Sequence, residues 1–215
     1  VADGAPVVSK ETPPGRRDML RAFLVLVLTM LVMGIVFQAT QAAMPKVFDL
    51  RLRDIAGSGA FGIGAIVAVV YTAGGIMQLA GGHLADRFAL KPIYVGAFLF
   101  QIPVMAGFAL FGGVPLVVVA MAAVLLTTGA LPAENMLLAR YAPEKHHGLA
   151  YGVKYVLAFG TAPLALMLVS AIQEQTGEFQ WLFLILAALA AVATLAAFVL
   201  PGEWRRAVPM AAPAE

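Results

Sequence analysis

The sequence predicts an all-α, polytopic membrane protein with six transmembrane helices, and three observations carry that prediction. Of 215 residues, 61% are hydrophobic and 12% charged, and the mean hydropathy is +0.90. A soluble domain, which must share its residues with a solvated surface, does not reach such values. Second, six runs are long and apolar enough to cross a hydrocarbon core about 30 Å thick at about 1.5 Å per residue. Third, the alternation of a barrel strand is missing. Because an unpaired backbone group is costly in lipid, helix is the remaining state for these runs.

Taken in order, residues 1–18, VADGAPVVSKETPPGRRD, are polar and proline-containing, as a flexible cytoplasmic linker is. No apolar h-region marks a signal peptide and the chain opens at Val1, so this segment is expected to continue from a longer polypeptide. The spans are placed at 19–43, 60–85, 92–110, 115–138, 148–172 and 179–200, together one bundle over 19–200, followed by a cytoplasmic tail at 201–215. The breaks carry turn or charge chemistry: Pro45 to Ser58, Asp86 to Pro92, Gly112 and Gly113, Ala142 to His147, and Gln173 to Gly177. Most are short, so successive helices are expected to run antiparallel in one bundle.

Basic residues orient the bundle. Ten fall on one side (Lys10, Arg16, Arg17, Arg21, Arg87, Lys91, Arg140, Lys145, Arg205 and Arg206) and three on the other (Lys46, Arg51 and Arg53), with Lys154 inside a span. This bias puts both termini in the cytoplasm, and the expected location is a bacterial cytoplasmic membrane. Trp181 and Trp204 fall at opposite ends of the last span, where amphipathic rings sit. The three basic residues of the first outer loop run against the trend. A net charge of +2 makes nucleic acid a poor partner, and the lack of cysteine removes disulfides, thiolate catalysis and Cys-ligated zinc.

Between the second and third spans lies GGHLADRFALK, which packs an Asp, an Arg and a Lys into the headgroup zone. It resembles the G-x-L-a-D-R-x-G-R-[RK] signature that transporters of the major facilitator superfamily carry between the second and third helix of each six-helix half. Gly82, Leu84, Ala85, Asp86, Arg87 and Lys91 match, whereas Ala89 and Leu90 replace the usual Gly and Arg. The copy in the C-terminal half of these transporters is commonly the degenerate one. Together with a leading linker and six spans, the chain therefore resembles a C-terminal half.

That resemblance implies several things. Two inverted three-helix repeats surround a site near mid-membrane, the first and fourth spans line the cavity, the second and fifth flank it, and the third and sixth face lipid. Gly82, Asp86, Arg87 and Lys91 would form a latch to a missing N-terminal six-helix half. Asp86 would face a helix N-terminus there, and Arg87 and Lys91 would pair with acidic groups or lipid phosphates. The alternative is that Arg87 and Lys91 serve only as cytoplasmic anchors. The resemblance also implies a small solute moved by alternating access, as symport or antiport, with no cofactor.

The polar residues inside the spans are the candidates for the path. Gln38 and Gln41 share a face of the first span, Tyr71 and Gln78 a face of the second, and the fourth holds Thr127, Thr128, Glu134 and Asn135. Such residues also serve as hydrogen-bond glue between helices. Glu134 and Lys154 stand out because an intramembrane charge usually faces the interior and finds a partner. Glu134 precedes Arg140, near the inner end of the fourth span, by six residues, and Lys154 follows Gly148, at the inner start of the fifth, by six; both then lie about 9 Å deep, so they could pair across adjacent helices. The pair could be purely structural, or Lys154 could snorkel while Glu134 meets Arg140. Under the functional reading, Glu134 exchanges a proton with coupling to protons rather than sodium.

Gly74, Gly75, Gly81 and Gly82 leave a smooth strip on the second span, and Pro132, Gly160 and Pro163 are expected to bend the fourth and fifth. A hydrolase is excluded on placement. The serines are Ser9, Ser58 and Ser170, while His83, His146 and His147 sit at cytoplasmic turns, so no nucleophile meets a base at membrane depth and no metal set forms. A scaffold or receptor that transports nothing is the remaining alternative.

Overall fold

The computed structural model describes residues 16–52, 60–142 and 144–201. They form seven α-helices: α1 (Arg16–Arg51), α2 (Ala60–Arg87), α3 (Leu90–Leu110), α4 (Gly113–Tyr141), α5 (His147–Gly160), α6 (Ala162–Thr176) and α7 (Gln180–Phe198). A single 3-10 turn, Glu144–His146, precedes α5. Helices α5 and α6 are two parts of one span, His147–Thr176, which makes six segments able to cross a membrane. Arg53, Ser58, Trp204, most of the N-terminal segment and the tail after Pro201 lie outside the described residues.

Two boundaries differ from the sequence expectation. Helix α1 begins at Arg16 and continues through Pro45 to Arg51, where a break was expected at Pro45. Proline removes one backbone bond and crowds the preceding turn, but Met44, Val47, Phe48 and Leu52 around it are wholly buried and hold the helix on course. The fifth span does break. Pro163, at the start of α6, lacks the N–H that would continue the ladder. One residue before the carbonyl that Pro163 would have reached, the Ala158 carbonyl accepts from Thr161 Oγ1 at 3.1 Å and from Gln38 Nε2 at 3.3 Å. Gly177, in the left-handed region at φ 70°, closes α6.

The core lies among α1, α3, α4 and α7, where the rings of Phe108 and Phe183 stack with centroids 4.4 Å apart. Helices α3 and α7 are the most enclosed, with 44% of their most apolar stretch buried, against 11% for α2 and for the α5–α6 span. This qualifies the expectation that the third and sixth spans face lipid. Each keeps one uncovered stripe, Leu99 and Phe100 on α3 and Val192 and Leu195 on α7, and packs its other sides into the bundle.

Helix ends repeat one device. Arg51, closing α1, donates to the carbonyls of Phe108, Ala109 and Phe111 at 2.9, 3.3 and 3.2 Å, at the C-terminal end of α3. Tyr141, closing α4, donates to the Pro201 carbonyl at 3.3 Å, just past α7. In both triplets the first helix therefore reaches the end of the third. Two of the three basic residues between the first and second spans thus have partners within the chain, Arg51 as a helix cap and Lys46 in a pair with Asp49 at 3.5 Å. A cation at the negative end of a helix is stabilised by the carbonyl dipoles.

The glycines of α2 divide by face. A Cβ on Gly81 would lie 2.4 Å from the Gly129 carbonyl oxygen and one on Gly74 would lie 2.6 Å from a Val124 methyl, so both mark backbone contact with α4. Gly75 and Gly82 meet nothing within 4 Å. The smooth strip is thus two faces, one closed against α4 and one uncovered.

Candidate functional site

A cavity of about 460 Å³ opens between α1, α2, α4 and α5. The expected residues Gln38, Gln41, Gln78, Thr127, Glu134, Asn135 and Lys154 line it, interleaved with Met30, Met33, Phe37, Leu131, Tyr155 and Phe159. Helical spacing explains the convergence. Thr127 and Glu134 are two turns apart on α4, and Gln38 and Gln41 share a face of α1. Mixed apolar and polar lining at this size is what a small-molecule site offers.

Two expected path residues sit elsewhere. The Thr128 hydroxyl donates back to the Val124 carbonyl at 2.7 Å, and the side chain abuts the point where Gly74 of α2 crosses. Tyr71 belongs to a side pocket of about 10 Å³ with Thr40, Gln101 and Thr127. Seven residues on α2 align Tyr71 with Gln78 around the axis, but about 10 Å of rise separates them. Thr127 alone of the polar residues touches both spaces.

The charged residues do meet. Lys154 Nζ lies 2.7 Å from Glu134 Oε1, with the two side chains 7% and 10% exposed. Lys154 is therefore held in the bundle and does not snorkel. Its ammonium also donates to Asn135 Oδ1 at 2.5 Å, while the Tyr151 hydroxyl donates to the Asn135 carbonyl at 3.1 Å. A charge inside a bundle is tolerated when it is paired and hydrogen-bonded, and this one is both.

Glu134 has a second partner that sequence reasoning passed over. Tyr94 of α3 donates to Glu134 Oε2 at 3.2 Å, and its oxygen lies 2.9 Å from Thr29 Oγ1 of α1. Tyr94 and Thr29 are both wholly buried. A tyrosine one turn into a span reads as an interface aromatic, and a threonine reads as a back-bonded helix residue, so neither carried a signal. Gln101 was missed for a similar reason, since it sits on a span expected to face lipid.

The signature turn divides in two. Asp86 and Arg87 are exposed at the end of α2, and Gly82 is open beside them. Lys91 is instead buried and donates to the carbonyls of Phe198 at 3.0 Å and Leu200 at 2.5 Å, capping α7. Within this chain Lys91 thus serves as a helix cap, a role that the expectation of acidic groups or lipid phosphates did not include. Its position one residue into α3 aims the side chain at the end of the neighbouring helix.

Six membrane-crossing helices, with a cavity of mixed lining among them and a buried ion pair in its wall, define an integral membrane protein. The family model of the Major Facilitator Superfamily matches residues 22–214, and the chain belongs to that family of membrane transporters. No curated protein matches the sequence.

Proposed function

We propose that this chain is one six-helix half of a secondary transporter, and that the complete protein moves a small solute by alternating access with a proton exchanged at Glu134. Both termini face the cytoplasm of a bacterial cell, and the other half covers the large uncovered faces of α2 and α5–α6. Phe61, Leu79, Val156, Phe159 and Met167 there are each at least 69% exposed, far more apolar surface than the two stripes on α3 and α7. The observation that carries the reading is the Glu134–Lys154 pair in the wall of a polar cavity. Protonation of Glu134 removes one charge of that pair, so the cavity's preference for a state of access changes with proton binding.

The test uses the full-length transporter in proteoliposomes with an imposed pH gradient and a panel of small labelled solutes. Glu134→Gln is expected to abolish the pH dependence of uptake while leaving solute exchange without a gradient measurable. Uptake that follows the gradient unchanged in this variant overturns proton exchange at Glu134. The exposed Asp86 supplies a second test. As half of a latch to the other six helices, Asp86→Ala is expected to cut flux several-fold, and unchanged flux removes the latch.

A further inference from the structure

Each carboxylate oxygen of Glu134 has its own partner, and only one of them is charged. Oε1 faces Lys154 and Oε2 faces the Tyr94 hydroxyl, behind which stands Thr29. Thr29 Oγ1 lies 3.0 Å from the Val25 carbonyl and 3.0 Å from the Leu26 carbonyl. The line Glu134, Tyr94, Thr29, backbone carbonyl therefore runs from the cavity wall on α4, through α3, into α1, and ends on groups that can only accept.

We infer that Tyr94 and Thr29 form a reversible hydrogen-bond chain that keeps Glu134 bonded in both its charged and its neutral form. This rests on the reading that Glu134 exchanges a proton. With Glu134 charged, Thr29 donates to the Tyr94 oxygen and Tyr94 donates to Oε2. With a proton on Oε2, every donor reverses: Glu134 donates to Tyr94, Tyr94 to Thr29, and Thr29 to the carbonyl of Val25 or Leu26. A carbonyl has two lone pairs and can take this bond beside its helical one. Each hydrogen has one acceptor in both states, and two hydroxyl rotations replace any movement of heavy atoms. The Lys154 ammonium keeps Asn135 Oδ1 when Glu134 is neutral, so the cation also retains an acceptor.

The surroundings leave this chain in control of Oε2. Lys154 and Tyr151 face the site from α5, Tyr94 from α3, and Thr29 from α1. Helix α2 brings the uncharged Gln78, and Tyr155 is the other titratable residue lining the cavity among the described residues. Tyr94 and Thr29 are positioning residues, since both act through Glu134.

The two members have opposite effects when removed, which makes the chain testable. Thr29→Val leaves the Tyr94 hydrogen without an acceptor only when Glu134 is neutral, and so disfavours the neutral form. Tyr94→Phe removes the hydrogen given to the carboxylate, a bond to a charged group and the stronger of the two. The measurement is infrared titration of the full-length transporter, following the carboxylic C=O band that disappears in Glu134→Gln. Thr29→Val is expected to lower the midpoint by about half to one pH unit, and Tyr94→Phe to raise it by about one unit or more. Thr29→Ser, which keeps the hydroxyl, should titrate like the unsubstituted protein. If Tyr94→Phe does not fold, the Val and Ser variants at position 29 decide alone. Midpoints that stay put or move in the same direction overturn the chain. The absence of any titrating Glu134 band in the unsubstituted protein overturns instead the proton-exchange reading beneath it.

Discussion

Lys91 and Lys154 are the two buried lysines among the described residues, 9% and 6% exposed, yet the protein holds them in opposite ways. Lys91 sits at the start of α3 against the carbonyls that close α7, and carbonyl dipoles do not titrate. Lys154 sits in the cavity against Glu134, whose charge a single proton removes. Equal burial therefore carries different consequences. Carbonyl contacts hold a helix end whatever the pH, whereas a carboxylate contact makes an arrangement that can be switched.

The most disruptive way to break this contrast is at the cavity. Lys154→Met leaves the Glu134 carboxylate buried without its cation, and removing one partner of a buried pair costs about 3–5 kcal/mol. Thermal unfolding of the full-length protein at neutral pH is expected to show a loss of that order. Adding Glu134→Gln should recover most of it, because a neutral amide no longer requires the ammonium. A single variant that loses under about 1 kcal/mol would show the pair to be well solvated, as exposed pairs are, and the contrast with Lys91 would collapse.

At the scaffold end the effect is smaller and of a different kind. Lys91→Met removes two charge-assisted bonds to the C-terminus of α7, and one such bond to a charged group is worth about 1.5–3 kcal/mol. The expected outcome is a stability loss in that range, with the pH profile of transport unchanged in shape. A shifted profile would mean that Lys91 is electrostatically linked to Glu134 and that the two lysines are not separate devices.

How far the sequence disclosed these devices depends on the range of the signal. Hydrophobic length located all six spans, because lipid imposes the same requirement on each, and it erred at Pro45, where four buried side chains outweigh a local breaker. Helical spacing grouped Gln38 with Gln41 and Thr127 with Glu134, which the structure does gather in one cavity. It failed for Tyr71 and Thr128, since spacing fixes angle around an axis and says nothing of which neighbour covers that angle. Depth arithmetic set Glu134 level with Lys154. Nothing in one sequence joins Tyr94 to Thr29, because their meeting is decided by how α3 packs on α1 and α4.

The smallest expected effect concerns a polar group that neither lysine explains. Gln101 is 2% exposed, and its Oε1 has no hydrogen-bond partner among the described residues, whereas the Lys91 ammonium meets carbonyl oxygens. A buried acceptor left unpaired costs about 1–3 kcal/mol, and an apolar side chain of similar shape removes that cost. Gln101→Leu is therefore expected to leave stability within about 0.5 kcal/mol of the starting protein or to raise it by about 1 kcal/mol. The side pocket, about 10 Å³ and shared with Tyr71, Thr40 and Thr127, offers the opposite outcome a cause, since a space near that size admits one water. If Gln101→Leu loses more than about 1 kcal/mol, Tyr71→Phe and the double variant decide between explanations. Non-additive losses would join Gln101 to the Tyr71 hydroxyl through a bridge in that pocket, and the polar interior would then extend past Thr127 into the scaffold. Additive losses would place the effect in packing alone, and the boundary between a switchable cavity and a fixed scaffold would stand at Thr127.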